Sequence, residues 1–94
     1  MDTEVISEQE WDRVRQYFRL SLLQTEIMRR LCEGRSRQQI AREMTIRPRT
    51  VRTTAERLYR QFGVSDRVQL VLHVLVAVRH LWEWEENSLY TWER

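Results

Sequence analysis

The sequence predicts an all-α fold, on three observations. Serine followed three residues later by Glu or Gln, the pattern of a helix-opening capping box, occurs at Ser7–Glu10, Ser21–Gln24 and Ser36–Gln39. Each box opens a segment whose apolar residues recur at helical spacing. The 94 residues contain only two glycines and one proline, too few for the turns of a sheet-rich chain, and all three fall at expected helix boundaries.

The first helix runs from the Ser7 cap to about Arg19, with Trp11, Val14, Tyr17 and Phe18 as its apolar stripe. Ser21 opens the second, lined by Leu23, Ile27, Met28 and Leu31 and ended by a left-handed residue at Gly34. Ser36 opens a short third helix carrying Ile40, Ala41 and Met44. Pro48 then falls in the first turn of a fourth helix, where its missing amide hydrogen costs nothing. Val51, Ala55, Leu58 and Phe62 continue that helix to Gly63. Ser65 is the expected cap of a long last helix reaching Glu85 or Glu86, and the tail Ser88–Arg94 is aromatic and ambiguous.

Two helices joined by a tight turn around Thr45–Arg47 make a helix-turn-helix. The expected architecture is a compact helical domain with a central helix-turn-helix, an extra N-terminal helix and a long C-terminal helix. It divides into an N-terminal helical extension (1–19), a helix-turn-helix domain (20–78) and an aromatic C-terminal extension (79–94).

Several classes of function are not expected. Cys32 is the single cysteine, so no internal disulfide forms. The longest apolar stretch, Val68–Val78, is 11 residues interrupted by Gln69 and His73, too short to span a bilayer. With no signal peptide, a cytoplasmic protein without a membrane partner is expected. No nucleophile–base–acid set and no phosphate loop occurs, so neither an enzyme, a cofactor nor a small-molecule substrate is expected. His73 and His80 lack further ligands at suitable spacing, which leaves no metal site.

Charge is distributed unevenly. All 16 basic residues are arginine, as a GC-rich genome produces and as bidentate binding of phosphate and guanine also favours. Residues 1–28 carry three arginines against six acids, residues 29–67 eleven against four, and residues 68–94 two against four. A basic middle between acidic ends fits a polyanion-binding surface, with a solvated arginine-rich face as the plainer alternative.

From Leu20 to about Leu75 stand, in order, Leu20-Ser21, Glu26-Ile27-Met28, Gly34, Ser36, Gln39-Ile40-Ala41, Met44-Thr45-Ile46, Thr50-Val51-Arg52 and Phe62-Gly63-Val64-Ser65-Asp66-Arg67. In these motifs, without gaps, the chain resembles the LuxR-type (GerE/NarL-like) helix-turn-helix family of bacterial transcription regulators. Three departures bear on the target sequence. Leu23-Gln24 replaces the common Arg-Glu, Arg47 replaces the Ser or Thr cap of the recognition helix, and Thr53-Thr54 replaces Asn-His.

At about 100° per residue, Ala55, Leu58 and Phe62 lie within roughly 40° of Val51, which defines a buried stripe on the fourth helix. Arg49, Thr53, Glu56 and Arg60 lie opposite, with Arg52 and Arg57 on the flanks. The resemblance implies that the N-terminal half of this helix enters the DNA major groove, with Arg52, Thr53 and Glu56 on the base side. Arg52 is the candidate guanine reader, against a phosphate contact or a solvated arginine. Thr53 is a candidate for a thymine methyl, against a plain surface threonine. Glu56 either accepts from cytosine N4 or pairs with Arg52 or Arg60 four residues away. Arg37, Gln38, Arg47, Arg49, Thr50 and Arg60 are candidate phosphate contacts at helix starts or on the outer face, each against an idle surface side chain.

Val68–Val78 is apolar almost all round, and such a helix must be buried on all faces. Leu70, Val71, Val74 and Val78 are expected to face the core. Leu72 and Val76, with His73 and His80 beside them, then fall to a homodimer interface; the resemblance implies dimerisation through this helix, spacing two readers about one DNA turn apart. Trp11, Trp82, Trp84 and Trp92 lie outside the family's motif. They either seal one chain's core or form an enlarged dimer interface or a dock for a protein partner. The resulting expectation is a stand-alone, nucleoid-associated regulator that binds double-stranded DNA as a homodimer, without an attached receiver or ligand domain. The alternative is a protein-interaction module that keeps the fold, pairs with other regulators and does not read DNA sequence.

Overall fold

Ser7, Ser21 and Ser36 each start a helix in the computed structural model, which describes the backbone of residues 6–91 and the side chains of residues 6–83. The described residues form five helices and no strand: α1 (Glu8–Phe18), α2 (Leu22–Cys32), α3 (Arg37–Met44), α4 (Pro48–Phe62) and α5 (Arg67–Thr91). All three capping boxes close in both directions. Each serine Oγ accepts from the amide three residues on, and the Glu10, Gln24 or Gln39 side chain accepts from the serine's own amide. Arg47 makes no side-chain cap for α4, where Pro48 removes one of the amides that would need a partner.

Four helices end by one device. A left-handed residue reverses the chain, and the next amide donates five residues back: Leu20 to the Arg15 carbonyl, Arg35 to Arg30, Ile46 to Ala41 and Val64 to Tyr59, at 2.9, 3.1, 3.0 and 2.9 Å. At Gly34 and Gly63 the positive φ is free of strain, whereas Arg19 and Thr45 adopt φ 55° with a side chain. Thr45, β-branched and inside the helix-turn-helix turn, carries the larger penalty.

One core joins all five helices. Trp11 and Val14 of α1, Ile27, Met28 and Leu31 of α2, Ile40 and Ala41 of α3, Val51, Ala55, Leu58 and Phe62 of α4, and Leu70, Val74 and Val78 of α5 form a continuous cluster. Helix α1 is tied to it at both ends. Gln61 Nε2 donates to the Phe18 carbonyl at 3.0 Å, and Trp82 Nε1 donates to Glu10 Oε2 at 2.6 Å. Phe18 also packs on Phe62 with ring centroids 4.4 Å apart.

Five local expectations need correction. Tyr17 is exposed, because it lies about 60° round the helix from Val14, whereas Phe18 lies about 40° to the other side and reaches the core. Leu23 stays 40% exposed in the first turn of α2. Val71 is only half-buried, since it stands at the edge of the stripe of Leu70, Val74 and Val78, about 100° from Leu70 and about 60° from Val74. Asp66, not Ser65, caps α5: its carbonyl accepts from Leu70 and its Oδ1 from the Gln69 amide, while Gln69 Oε1 accepts from the Ser65 amide. The helix continues to Thr91, past the expected end at Glu85 or Glu86.

Candidate nucleic-acid interface

The arginines of the basic middle segment separate into two groups. Those on or beside α2 are engaged within the chain, Arg29, Arg30 and Arg35 by acids and Arg67 by a backbone carbonyl. Arg29 clasps Glu8 of α1 through two bonds of 2.9 and 2.6 Å. Arg30 holds Glu26 at 2.9 Å and Glu43 at 3.3 Å. Arg35 holds Glu43 at 2.7 Å, and Arg67 donates to the Arg35 carbonyl. These contacts tie α1, α2, α3 and the start of α5 together, and they leave little charge for a ligand.

Helices α3 and α4 carry the other group. Arg37, Arg42, Arg47, Arg49, Arg57 and Arg60 are exposed and make no ion pair among the described residues. Arg42 was not singled out by the sequence. It stands one turn after Gln38 on the same face of α3, and that i, i+4 spacing is the signal that could have found it. Val51, Ala55, Leu58 and Phe62 are buried as the periodicity predicts, with Thr54 buried beside them. The buried stripe turns Arg49, Arg52, Thr53, Glu56 and Arg60 outward. Thr50, at the edge, is half-buried, and Gln38 is exposed at the start of α3. Within α4 the single ion pair is Arg52 Nε to Glu56 Oε1, 4.0 Å, with the side chains 63% and 52% exposed.

A second face lies on α5. Val68, Leu72, Leu75 and Val76 are 68%, 57%, 37% and 53% exposed. His73 and His80 stand beside them, also exposed. The His73 ring meets Phe62 edge-on at 5.5 Å, and His80 Nδ1 is 3.6 Å from Glu83 Oε2. Val76, His73 and His80 also line a groove whose opposite wall is Tyr17 and Phe18 of α1.

The aromatic residues take different positions. Trp11 is 6% exposed within the core, which favours the first of the two roles expected of it, sealing one chain's core. Trp82 is 40% exposed, pinned by Glu10 and stacked under the Arg13 guanidinium at 4.3 Å. The side chains of Trp84 and Trp92 lie outside the described residues. Cys32 sits at the end of α2, where burial pushes its thiol up to about 12, so it is protonated and unreactive at neutral pH. No cluster of three metal-ligating side chains forms among the described residues, and no single helix there is long and apolar enough to cross a membrane.

The sequence matches the family model described as bacterial regulatory proteins, luxR family, over residues 19–74. It is similar to the probable transcriptional regulatory protein NarL of Mycobacterium tuberculosis, in strains CDC 1551 / Oshkosh and ATCC 25618 / H37Rv. Each is 39% identical over 56 residues, which cover 60% of this chain and 26% of the relative. The chain therefore spans about a quarter of the length of the curated relatives it matches. No solved structure matches.

Proposed function

The chain belongs to the luxR family of bacterial regulatory proteins, and on that footing we propose that it regulates transcription by binding double-stranded DNA, with α4 in the major groove. One observation carries the reading: apart from Arg52, which faces Glu56, the arginines of α3 and α4 are left unpaired, while Arg29, Arg30 and Arg35 around α2 are paired with acids. Six exposed cations on two adjoining helices, with no acid spent on them, repel one another unless a polyanion is present. Arg52, Thr53 and Glu56 take the base side. Arg37, Gln38, Arg47, Arg49, Thr50 and Arg60, joined by Arg42, take the phosphates. Residues 20–78 are the reading domain, and 1–19 and 79–94 are its two extensions.

The same reading assigns the exposed stripe of α5 to a second copy of the chain. Leu72 and Val76, flanked by His73 and His80, form the centre of a homodimer that sets two α4 helices about one DNA turn apart. Trp82 stands at the edge of that face, with its indole already bonded within the chain. A nucleoid location in the cytoplasm follows from the ligand.

The test is selection of bound duplexes from a random DNA library by the whole protein at near-physiological salt. The expected result is a motif with two-fold symmetry. A folded, dimeric protein that enriches no sequence would overturn base reading and leave a protein-interaction module as the function.

A further inference from the structure

Glu56 is the one acidic residue of α4 and stands in the middle of its cationic outer face. In a major groove it would meet phosphates and the O6 and N7 acceptors of guanine, which repel a carboxylate; only the amino groups of cytosine and adenine would attract it. Its presence therefore lowers general affinity, and some other interaction has to account for it.

Helix stability does not. Glu56 could pair forward with Arg60, or backward with Arg52. The arrangement with Glu on the N-terminal side is the better one for a helix, yet Arg60 makes no ion pair and Arg52 is the partner. An exposed pair in the less favourable order contributes almost nothing to folding.

What the pair offers is a direction for the guanidinium. Glu56 Oε1 stands 4.0 Å from Arg52 Nε, beyond hydrogen-bond reach in the free protein; closing on Nε would leave Nη1 and Nη2 for a base. These two nitrogens form the fork that spans guanine O6 and N7. We propose that Glu56 is the positioning residue for Arg52, holding the Nε edge so that the terminal nitrogens meet one guanine in each half-site. The assignment rests on the DNA-reading function above and names the base that function reads. Water excluded from the groove strengthens the ion pair at the moment of reading. The same carboxylate repels the O6 and N7 edge of a guanine at wrong registers, so it adds discrimination while subtracting affinity.

The experiment measures dissociation constants of the whole protein for the duplex it selects, and for duplexes carrying each other base at the guanine that Arg52→Ala ceases to distinguish. Wild type, Glu56→Gln, Arg52→Ala and the double variant are compared, with melting temperature as a check on folding. A bidentate arginine discriminates by about 5- to 150-fold. Glu56→Gln is expected to cut the guanine preference by at least about threefold, chiefly by tightening binding to the wrong bases, with the melting temperature unchanged. In the Arg52→Ala background Glu56→Gln is expected to leave base preference as it was. A guanine preference that survives Glu56→Gln would overturn the assignment alone. A preference for cytosine that persists in Arg52→Ala and vanishes in the double variant would overturn it in favour of Glu56 as a direct reader. A wild-type protein indifferent to every base would overturn the parent function, and this assignment with it.

Discussion

Helices α4 and α5 each give one face to the same core and leave the other uncovered, but the uncovered faces differ in kind. That of α4 carries Arg49, Arg52, Arg57 and Arg60, whereas that of α5 carries Val68, Leu72, Leu75 and Val76. Water solvates guanidinium well, so α4 is stable as it stands and can wait for a polyanion. Water does not solvate an apolar stripe well, and the proposed second copy of the chain would cover that of α5. Under the proposed function, the contrast matches α4 to a partner that comes and goes and α5 to one that stays.

The largest effect tests the permanent partner. Leu72→Glu places a carboxylate in the centre of the α5 face, where a dimer would bury it without a counter-ion. The dimer dissociation constant is expected to rise by more than about 100-fold, with helicity retained because Leu72 makes no part of the core. Sedimentation equilibrium reads it directly. An unchanged mass would remove α5 as the interface and end the comparison.

Arginine substitutions test the other half, because identical residues in different surroundings should fail differently. Arg52→Ala is expected to lose about 1–3 kcal/mol of base discrimination. Arg49→Ala should weaken binding to all sequences alike and lower the slope of log affinity against log salt by about 0.9. Arg30→Ala removes bonds to Glu26 and Glu43. It should cost about 1 kcal/mol of folding stability while leaving the salt slope untouched. Titrations over a salt series, alongside thermal melts, separate the three. If Arg30→Ala changed the slope as Arg49→Ala does, the division between paired and unpaired arginines would have no functional meaning.

That division was the part of the site least legible in the sequence. The capping serines were readable because a cap is settled by residues three apart, and the buried stripe of α4 because periodicity alone fixes it. The outward set of Arg49, Arg52, Thr53, Glu56 and Arg60 followed from that stripe. Glu8 and Arg29, by contrast, lie 21 residues apart, and Arg35 and Glu43 eight apart. Only packing of α1, α2 and α3 brings them together, so the segment's charge overstated what it offers a ligand. The cap at Asp66 was legible, since Asp66 and Gln69 repeat the Ser-x-x-Gln spacing, but Ser65 next to it carries a competing signal. Tyr17 and Val71 show a different limit. Each sits at the margin of an apolar stripe, and a sequence gives the direction of a face better than its width.

A smaller effect concerns the turn that aims α4. Thr45 holds φ 55° and ψ 48°, a conformation that costs a residue with a side chain about 1–2 kcal/mol. Glycine relieves this but adds freedom to the unfolded chain. Thr45→Gly is expected to stabilise the fold by about 1 kcal/mol, raising the melting temperature by about 4–8 °C. The Ile46 amide still donates to the Ala41 carbonyl, so α3 and α4 keep their relation and DNA affinity should not change. A loss of affinity with a gain in stability would mean that the strained turn is part of the reading geometry of α4, and would weaken the idea of a face that simply waits.

The smallest effect lies where α1 is pinned to α5. The Ser7 amide donates to the Glu10 carboxylate, and so does the Trp82 indole; together they hold its pKa below the usual 4.5 despite partial burial. Glu8, bonded to Arg29, is lowered likewise. A carboxylate with a depressed folded pKa contributes stability that is present above its ordinary value and lost as the pH falls through the folded one. Melting temperature should therefore be flat at neutral pH and decline from about pH 4.5 downward. Glu10→Gln keeps an acceptor for the Ser7 amide or the Trp82 indole but has no proton to gain, so its acid decline should be shallower than that of wild type. This contact holds the outer end of α5 against α1 without touching the stripe of Leu72 and Val76. Dimer mass at neutral pH should consequently be the same in both proteins. A dimer weakened by Glu10→Gln would show that α1 sets the position of the α5 face, and that the permanent interface includes the N-terminal helix as well.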